Sequence, residues 1–584
     1  MRTPSYSLSL LTRTQISLAV CSFFITSAWS QTLPSAGQLN KALELPTPQR
    51  EASPINNGAA LPAIRGSLPD AVSVLVKGFR FSGNAAIATP ELYALIAESM
   101  NKRLDFAALD RVTDVVSRYY RQKGFTVARA YLPAQQSADG IIQINVIEGH
   151  YSAINLKNTS PIQSERLEQM LANNLCSVAN NKDCVGKLIQ DQGLERAILL
   201  LKDLPGVTAV ANLKPGAATG TSELDVAVRG TKPNSYSVGF DNYGAASTGV
   251  YRLNASADLN NLNSDGDQLN LGLATTTKTA TKTGSAAYSV PIGYEGQRLG
   301  LAFSRSQYRL GGVFDATQSY GLSNALSAYT SYPVIRSVNR SLYARLAGEV
   351  RGGVNYVGAA GNSFTSNANV VRLGVTGDNI DSLGGGGYTV YGGTWSAGYV
   401  GNTDTTTNSA GRFSKFTYHL ARQQSTIGAL TLYGSFNAQR ASRNLDGSEQ
   451  TGLGGPGSVR GYAGEAGGST GANATIEVRY AMPMKIGDDV SSVIYGLFVD
   501  RGWVRFYEDV PTSTGSGASL GGANTRALSS YGLTLTLQSQ ARIPTPTSWG
   551  YFLKGMYGMH SDKDPSTLDP SSKGKLWVQG GVNF

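Results

Sequence analysis

Tyr251-Arg252-Leu253-Asn254-Ala255-Ser256-Ala257-Asp258-Leu259 puts an apolar or aromatic residue at every odd position and a polar one at every even position. A period of two sends alternate side chains to opposite faces of an extended strand. Upstream, Tyr236, Val238 and Phe240 alternate with Ser237, Gly239 and Asp241. Downstream, Leu269, Leu271 and Leu273 alternate with Gln268 and Asn270. Soluble sandwiches alternate too, but their strands average about 5–6 residues. Alternation over roughly ten residues, apolar side outward and polar side inward, is the mark of a strand crossing an outer membrane. The helical period is absent from about Thr231 onward. At roughly 22 residues per strand and connection, residues 231–584 hold about 16 antiparallel strands, an even number of the kind closed barrels favour.

The start of the chain reads differently. Arg2 and Arg13 precede the apolar run Ile16–Ile25, and Ala28-Trp29-Ser30 supplies small residues where a signal peptidase cuts. The run is too short to span a bilayer. Residues 1–30 are therefore expected to be a cleaved secretory signal, leaving Gln31 first. A lipoprotein signal with its Cys at Cys21 competes, although Val20 is bulky where that signal wants a small residue. In residues 31–70, the stretch Ser35–Leu45 fits a short helix or an unstructured terminus equally well. Pro46, Pro48, Pro54, Pro62 and Pro69 then make an extended linker. With Cys21 removed, Cys176 and Cys184 remain, close together in an exported chain, and a disulfide is expected.

Residues 71–149 and 150–230 carry one pattern twice. A strand (Val72–Phe81) precedes a helix opened by Pro90-Glu91-Leu92. A second helix bears Leu109, Val112, Val116 and Tyr119 and is stopped by Lys123-Gly124-Phe125. Strands at Ala128–Pro133 and Ile141–Ile147 follow. The second unit repeats the order with a strand Tyr151–Leu156 and a helix near Ser164–Asn173. A helix carrying Leu188, Leu194, Ile198 and Leu201 comes next, then strands at 207–213 and 223–229. The doubled β-α-α-β-β order resembles POTRA domains, which flank outer-membrane barrels on the periplasmic side. A mixed sheet of this kind leaves an edge strand able to accept an extended segment of another chain. The predicted fold is thus α+β periplasmic domains followed by an all-β transmembrane barrel.

Composition removes other classes. Lys and Arg number 50 against 40 Asp and Glu, with no concentrated basic run, so no nucleic-acid partner is expected. The three His, at 150, 419 and 560, are scattered. No metal, cofactor or catalytic constellation is expected, and the chain does not read as an enzyme.

The most informative stretch lies between alternating segments 429–441 and 473–482, and so in a loop. It reads Thr451-Gly452-Leu453-Gly454-Gly455-Pro456-Gly457-Ser458-Val459-Arg460-Gly461-Tyr462. Gly452, Gly454 and Gly457 match a dinucleotide-binding spacing only by accident, since no βαβ unit surrounds them. The loop follows the eleventh strand and is extracellular. Val459-Arg460-Gly461-Tyr462 resembles the VRGY/F motif of the POTRA–barrel superfamily, whose loop folds back into the lumen. An arginine there needs a carboxylate, because an unpaired buried charge is costly. In 493–502, Val493, Tyr495, Leu497 and Val499 read as lipid-facing, which turns Gly496, Phe498, Asp500 and Gly502 inward. Phe498, Asp500 and Gly502 resemble the family's F-x-D-x-G strand motif, whose Asp pairs with the loop Arg. Glu477, inward on the strand after the loop, is a second candidate.

In the last strand, Leu576, Val578, Gly580, Val582 and Phe584 share one face. A closing strand ending on an aromatic residue resembles the signal by which outer-membrane barrels are recognised for insertion. Asp241-Asn242-Tyr243-Gly244 followed by Thr248-Gly249 looks like a barrel start. The whole layout resembles the TpsB transporters of two-partner secretion, the ShlB/FhaC/HecB haemolysin secretion/activation family. That resemblance implies a secreted TpsA-type exoprotein as partner, of haemolysin or adhesin type, taken up unfolded by the POTRA domains and passed through the barrel. It also implies outer-membrane lipid, the barrel-assembly machinery and periplasmic chaperones as partners, and an N-terminal helix able to plug the pore. An outer-membrane assembly and insertion factor is the alternative, although such proteins usually carry more POTRA units. A passive porin has no need of residues 71–230.

Overall fold

The computed structural model describes residues 55–56 and 73–584, apart from 137–138, 278–279, 404–407, 465, 487–488, 511–523, 541–549 and 561–571. The expected signal, the short helix and nearly all of the linker lie outside the described residues.

The first α+β unit contains β2 (Ser73–Val76), β3 (Gly78–Ser82), α1 (Thr89–Ile96), β4 (Lys102–Asp105), α2 (Phe106–Gln122), β5 (Arg129–Tyr131) and β6 (Ile141–Ile147). The expected single strand Val72–Phe81 is broken at Lys77, whose N–H is taken by the Gly140 carbonyl at 2.8 Å. On one side of the break β2 pairs with β4, and on the other β3 runs parallel to β6. The Asp105 carboxylate accepts from the Ala108 N–H and caps α2, which ends where Gly124 takes φ +88°. Leu109, Val112, Val116 and Tyr120 fill the core beneath it, so Tyr120 rather than Tyr119 continues the buried stripe. Tyr119 is turned to Glu91 at the surface.

The second unit has β7 (His150–Thr159), α3 (Ser164–Cys176), α4 (Asp191–Lys202), β8 (Val207–Pro215) and β9 (Thr221–Gly230). Leu188 lies outside α4, in an isolated bridge with His150. Leu167, Leu171, Leu194, Ile198 and Leu201 pack on Ala209, Leu224 and Val226 of the sheet. The Cys176–Cys184 disulfide ties the end of α3 to the turn that follows it. A two-residue strand, β1 (Ile55–Asn56), lies parallel to β8 and opposite Ala211 and Asn212, giving the sheet order β1-β8-β9-β7.

Beyond β9, the described residues close into an antiparallel barrel of sixteen strands, from Asn234–Asp241 to Gly574–Asn583. Leu253, Leu273, Leu301, Leu326, Leu373, Leu497 and Leu533 stand exposed on the outside, while Ser306, Ser323, Ser396 and Gln439 are buried inside. An apolar surface of that extent is stable only against lipid. The barrel's short turns at 261–267, 293–296 and 337–339 sit on the second unit. There Arg336 grips Asp203 at 2.6 and 2.7 Å, and Arg166 reaches Asp265 at 3.0 Å and the Pro291 carbonyl at 3.0 Å. These turns follow even-numbered strands, so the loop after the eleventh strand opens at the opposite end.

Candidate functional site in the barrel lumen

Residues 442–469 connect the eleventh strand (Leu430–Ala441) to the twelfth (Thr470–Ile486) and fold back into the barrel. A short hairpin, Thr451–Leu453 with Ala466–Gly468, frames the tip. Between its arms the Gly455 N–H bonds to the Tyr462 carbonyl at 2.7 Å, which turns residues 456–461 toward the wall.

Arg460 projects from that turn and is buried. Its Nε and Nη2 donate to the two carboxylate oxygens of Asp500 at 3.0 and 2.8 Å, a bidentate grip. Nη1 donates to Glu477 at 2.8 Å, and the Arg460 backbone N–H adds a bond to Asp500 at 2.9 Å. The guanidinium lies over the Phe498 ring, 3.3 Å from its centre. Asp500 also accepts from the hydroxyls of Thr475 at 2.9 Å and Ser530 at 3.2 Å. Glu477 accepts from Arg479 at 3.0 Å and Thr534 at 2.9 Å. Both carboxylates are thus fully hydrogen-bonded, as buried charges must be.

Strand parity explains the placement. Along the thirteenth strand, Asp489–Arg505, residues Tyr495, Leu497 and Val499 are exposed outward while Phe498 and Asp500 are buried inward. Val493, on the outward side by parity, is covered rather than lipid-exposed. Gly502 leaves space for the loop, since a side-chain carbon there would lie 2.7 Å from Leu453 and 3.1 Å from Val459. A carbon on Gly461 would meet Ser530 at 2.8 Å, and one on Gly558 would meet the Arg460 carbonyl carbon at 2.6 Å. Tyr462 is buried, donates to the Ser529 carbonyl at 3.3 Å and stacks on His560 with ring centres 4.9 Å apart.

Three more residues complete this site: Trp577 carries no motif, and Asp241 and Tyr243 entered the sequence reading only as part of a barrel start. The Trp577 indole N–H donates to the Arg460 carbonyl at 2.7 Å, and Tyr243 packs edge-on against Trp577 at 5.7 Å. Asp241, beneath Tyr243, is held by Arg252 at 2.6 Å. The barrel's first and last strands therefore meet under the loop. The available signal was Trp577 itself, a large aromatic at an inward position of a strand whose neighbours Leu576 and Val578 face out. At the seam between those strands Phe584 exchanges backbone hydrogen bonds with Tyr236 at 2.9 and 3.0 Å, and the two rings stack.

A sixteen-strand barrel with small α+β units at its N-terminal end and an arginine-bearing loop inside defines the POTRA–barrel class of outer-membrane proteins. A family model described as haemolysin secretion/activation protein ShlB/FhaC/HecB matches residues 220–523, more than half of the chain, and a model of the ShlB-type POTRA domain matches residues 74–149. The chain belongs to the haemolysin secretion/activation family, whose members are outer-membrane transporters for secreted exoproteins, with their POTRA domains in the periplasm. The heme/hemopexin transporter protein HuxB of Haemophilus influenzae is 27% identical over 490 residues, covering 82% of this chain and 84% of that protein. The outer membrane transporter CdiB of Dickeya dadantii is 27% identical over 441 residues, 72% of this chain and 75% of that protein. In fold, CdiB from Escherichia coli superposes with a TM-score of 0.68 at 18% identity, covering 91% of this chain and 94% of that one. These relatives are transporters, and this chain is not an enzyme.

Proposed function

We propose that this chain takes an unfolded exoprotein of haemolysin or adhesin type at its periplasmic units and passes it through the barrel, with the 442–469 loop held in the lumen by Arg460. In this reading residues 1–30 are a signal peptide, 31–70 a short helix able to plug the pore followed by a Pro-rich linker, 71–149 and 150–230 two POTRA domains, and 231–584 the barrel. On the same reading, folding of the exoprotein outside the cell supplies the drive and prevents return.

The observation that carries the reading is the edge of β8. The bonds from Gly216 N–H to the Thr221 carbonyl and from Thr231 N–H to the Gly206 carbonyl set the phase of the β8–β9 ladder. Even-numbered residues of β8 turn toward β9, so Val207, Ala209, Ala211 and Leu213 turn their backbone groups to the open edge. Among the described residues only Ile55–Asn56 pairs there, which leaves most of a nine-residue strand available to an extended chain. Ala209→Pro removes an edge N–H that lies beyond the reach of Ile55–Asn56, while leaving the β8–β9 ladder intact. Secretion of the partner into the medium should fall with Ala209→Pro and persist with Ala209→Ser, at equal barrel levels. Equal secretion by the two variants would remove the edge from the mechanism.

A further inference from the structure

A second cluster of buried charges lies in the lumen, away from Arg460. Glu449, in the first part of the same loop, is 1% exposed at its side chain. Its carboxylate takes Arg351 at 2.5 Å, Arg372 at 3.0 Å and Lys415 at 2.6 Å, and its backbone carbonyl accepts from Lys415 at 2.7 Å and Gln439 at 3.0 Å. Glu349 bridges the same two arginines at 2.7 and 3.0 Å. Close by, Asp446 accepts from Ser366 and Asn402, each at 3.1 Å. Leu445 is buried among Ala368, Val370, Val400 and Phe413. Three cations thus meet two carboxylates, with a third, Asp446, close by, around one turn of the loop, and an apolar side chain is set beside them.

The two clusters hold different stretches of loop to different walls. Arg460 is held by the twelfth and thirteenth strands through Glu477 and Asp500, and by the sixteenth through Trp577. The partners of Glu449 stand on the seventh, eighth, tenth and eleventh. Between them lie only residues 450–459, which include Gly454 and Gly455, both at positive φ. A segment fixed at both ends to separate walls, with glycines between, has two mooring points rather than one.

We infer that Glu449 is a positioning residue that moors the stem of the loop, 442–450, independently of Arg460, so that breaking the Arg460 cluster frees the tip, 451–468, while the stem stays on the wall. The inference rests on the lumenal role proposed for Arg460, and each half has its own reporter. The only cysteines are Cys21, in the expected signal, and the bonded pair Cys176–Cys184, so an introduced thiol is unique in the mature chain. Ser458→Cys reports the tip and Ser448→Cys the stem, and both serines are buried. Intact cells are treated with a membrane-impermeant maleimide.

With Arg460→Ala, labelling at position 458 should rise at least about tenfold and labelling at 448 should not, as expected when one of two buried charge clusters is opened. With Glu449→Gln the pattern should reverse. Because Glu449→Gln leaves a surplus of buried cations, Glu449→Gln with Lys415→Gln is made in parallel, restoring the charge balance. Heat-modifiable gel mobility checks that each barrel is closed. Glu449→Asp, which keeps the charge, should restore much of the protection at 448. Protection of 448 in both neutralised variants, or its exposure by Arg460→Ala alone, overturns the independent stem. Protection of 458 in Arg460→Ala refutes the Arg460 reading instead, while the result at 448 still decides the stem.

Discussion

Replacing Arg460 or Asp500 tests whether the loop is held by one coupled unit. Arg460→Ala removes three charge-assisted side-chain hydrogen bonds and the contact with Phe498, but leaves the bonds from the residue 460 N–H to Asp500 and from Trp577 to its carbonyl. Asp500→Ala strips an acceptor from Arg460, Thr475 and Ser530 together, yet leaves Arg460 on Glu477. Breaking one side of a buried ion pair costs about 3–5 kcal/mol, a shift of roughly two to three and a half powers of ten in the seated-to-released ratio of the loop. Either change should therefore lower secretion sharply at matched surface levels, because no barrel strand loses a ladder bond. The double variant should be no worse than the worse single, with a coupling energy of at least about 1 kcal/mol. Arg460→Lys should restore only part of the activity, since an ammonium cannot hold both oxygens of Asp500 and reach Glu477 at once. Secretion of the partner by these variants decides the matter. Additive losses would refute the coupled unit, and the cycle between Arg460 and Glu477 would then show whether Glu477 is the principal partner.

Three further changes separate seating, insertion and folding. Gly558→Val should reproduce the Arg460→Ala defect with every charge in place, because the new side chain occupies the position of the loop backbone at residues 460–461; normal secretion would mean the loop need not seat there. Deleting Phe584 should lower the amount of barrel in the membrane and leave secretion per barrel unchanged, as its place at the closing seam implies. Quantified surface protein set against exported partner distinguishes the two, and normal abundance with lost secretion would contradict it. Cys176→Ser with Cys184→Ser should destabilise the second α+β unit by about 2–3 kcal/mol, since the bond closes a short loop. Denaturant melting of the full chain followed by a reporter in that unit measures this, and an unchanged midpoint would argue against it.

Alternation made most of the barrel legible. A period of two fixes which side of a strand each residue takes, so the inward direction of Phe498 and Asp500 followed from Leu497 and Val499 alone. Position in the strand count put Arg460 at the end opposite the α+β units. The Glu449 cluster was not legible for the same reason. Its members stand at 349 and 351 on one strand, at 372 and 415 on two others and at 449 in the loop, and each looks like one more polar residue of a polar lumen. Only the pairing register of neighbouring strands brings such residues together, and that register depends on turn lengths that the alternation does not contain. In the first unit, Val72–Phe81 read as one strand because alternation does not show where a strand changes partners. The change comes at Lys77, where the Gly140 carbonyl takes the N–H. Leu188 suits a helix by composition, but it lies six residues before Leu194, a spacing that leaves the helical stripe.

The chemistry of the loop's two anchors suits a channel that opens without nucleotide. Burying an ion pair costs so much desolvation that its net contribution is often no greater than that of an apolar contact of the same size. The cost of breaking one therefore depends on what replaces it. A charge left alone in a dry site is strongly destabilising, whereas a charge that regains water or another polar partner loses far less. Arg460, Asp500 and Glu477 face a lumen, and a polar polypeptide entering it brings both hydrogen-bonding groups and water. An apolar clasp offers no such exchange, because releasing it exposes hydrocarbon whatever enters. Both anchors also carry an apolar share: at the tip Leu453, Val459 and Tyr462 pack with Val504 and Leu528, and at the stem Leu445 packs against Val370, Val400 and Phe413. An entering chain can therefore replace the partners of the charges at either anchor but not these apolar contacts, and release of either stretch carries the cost of uncovering them.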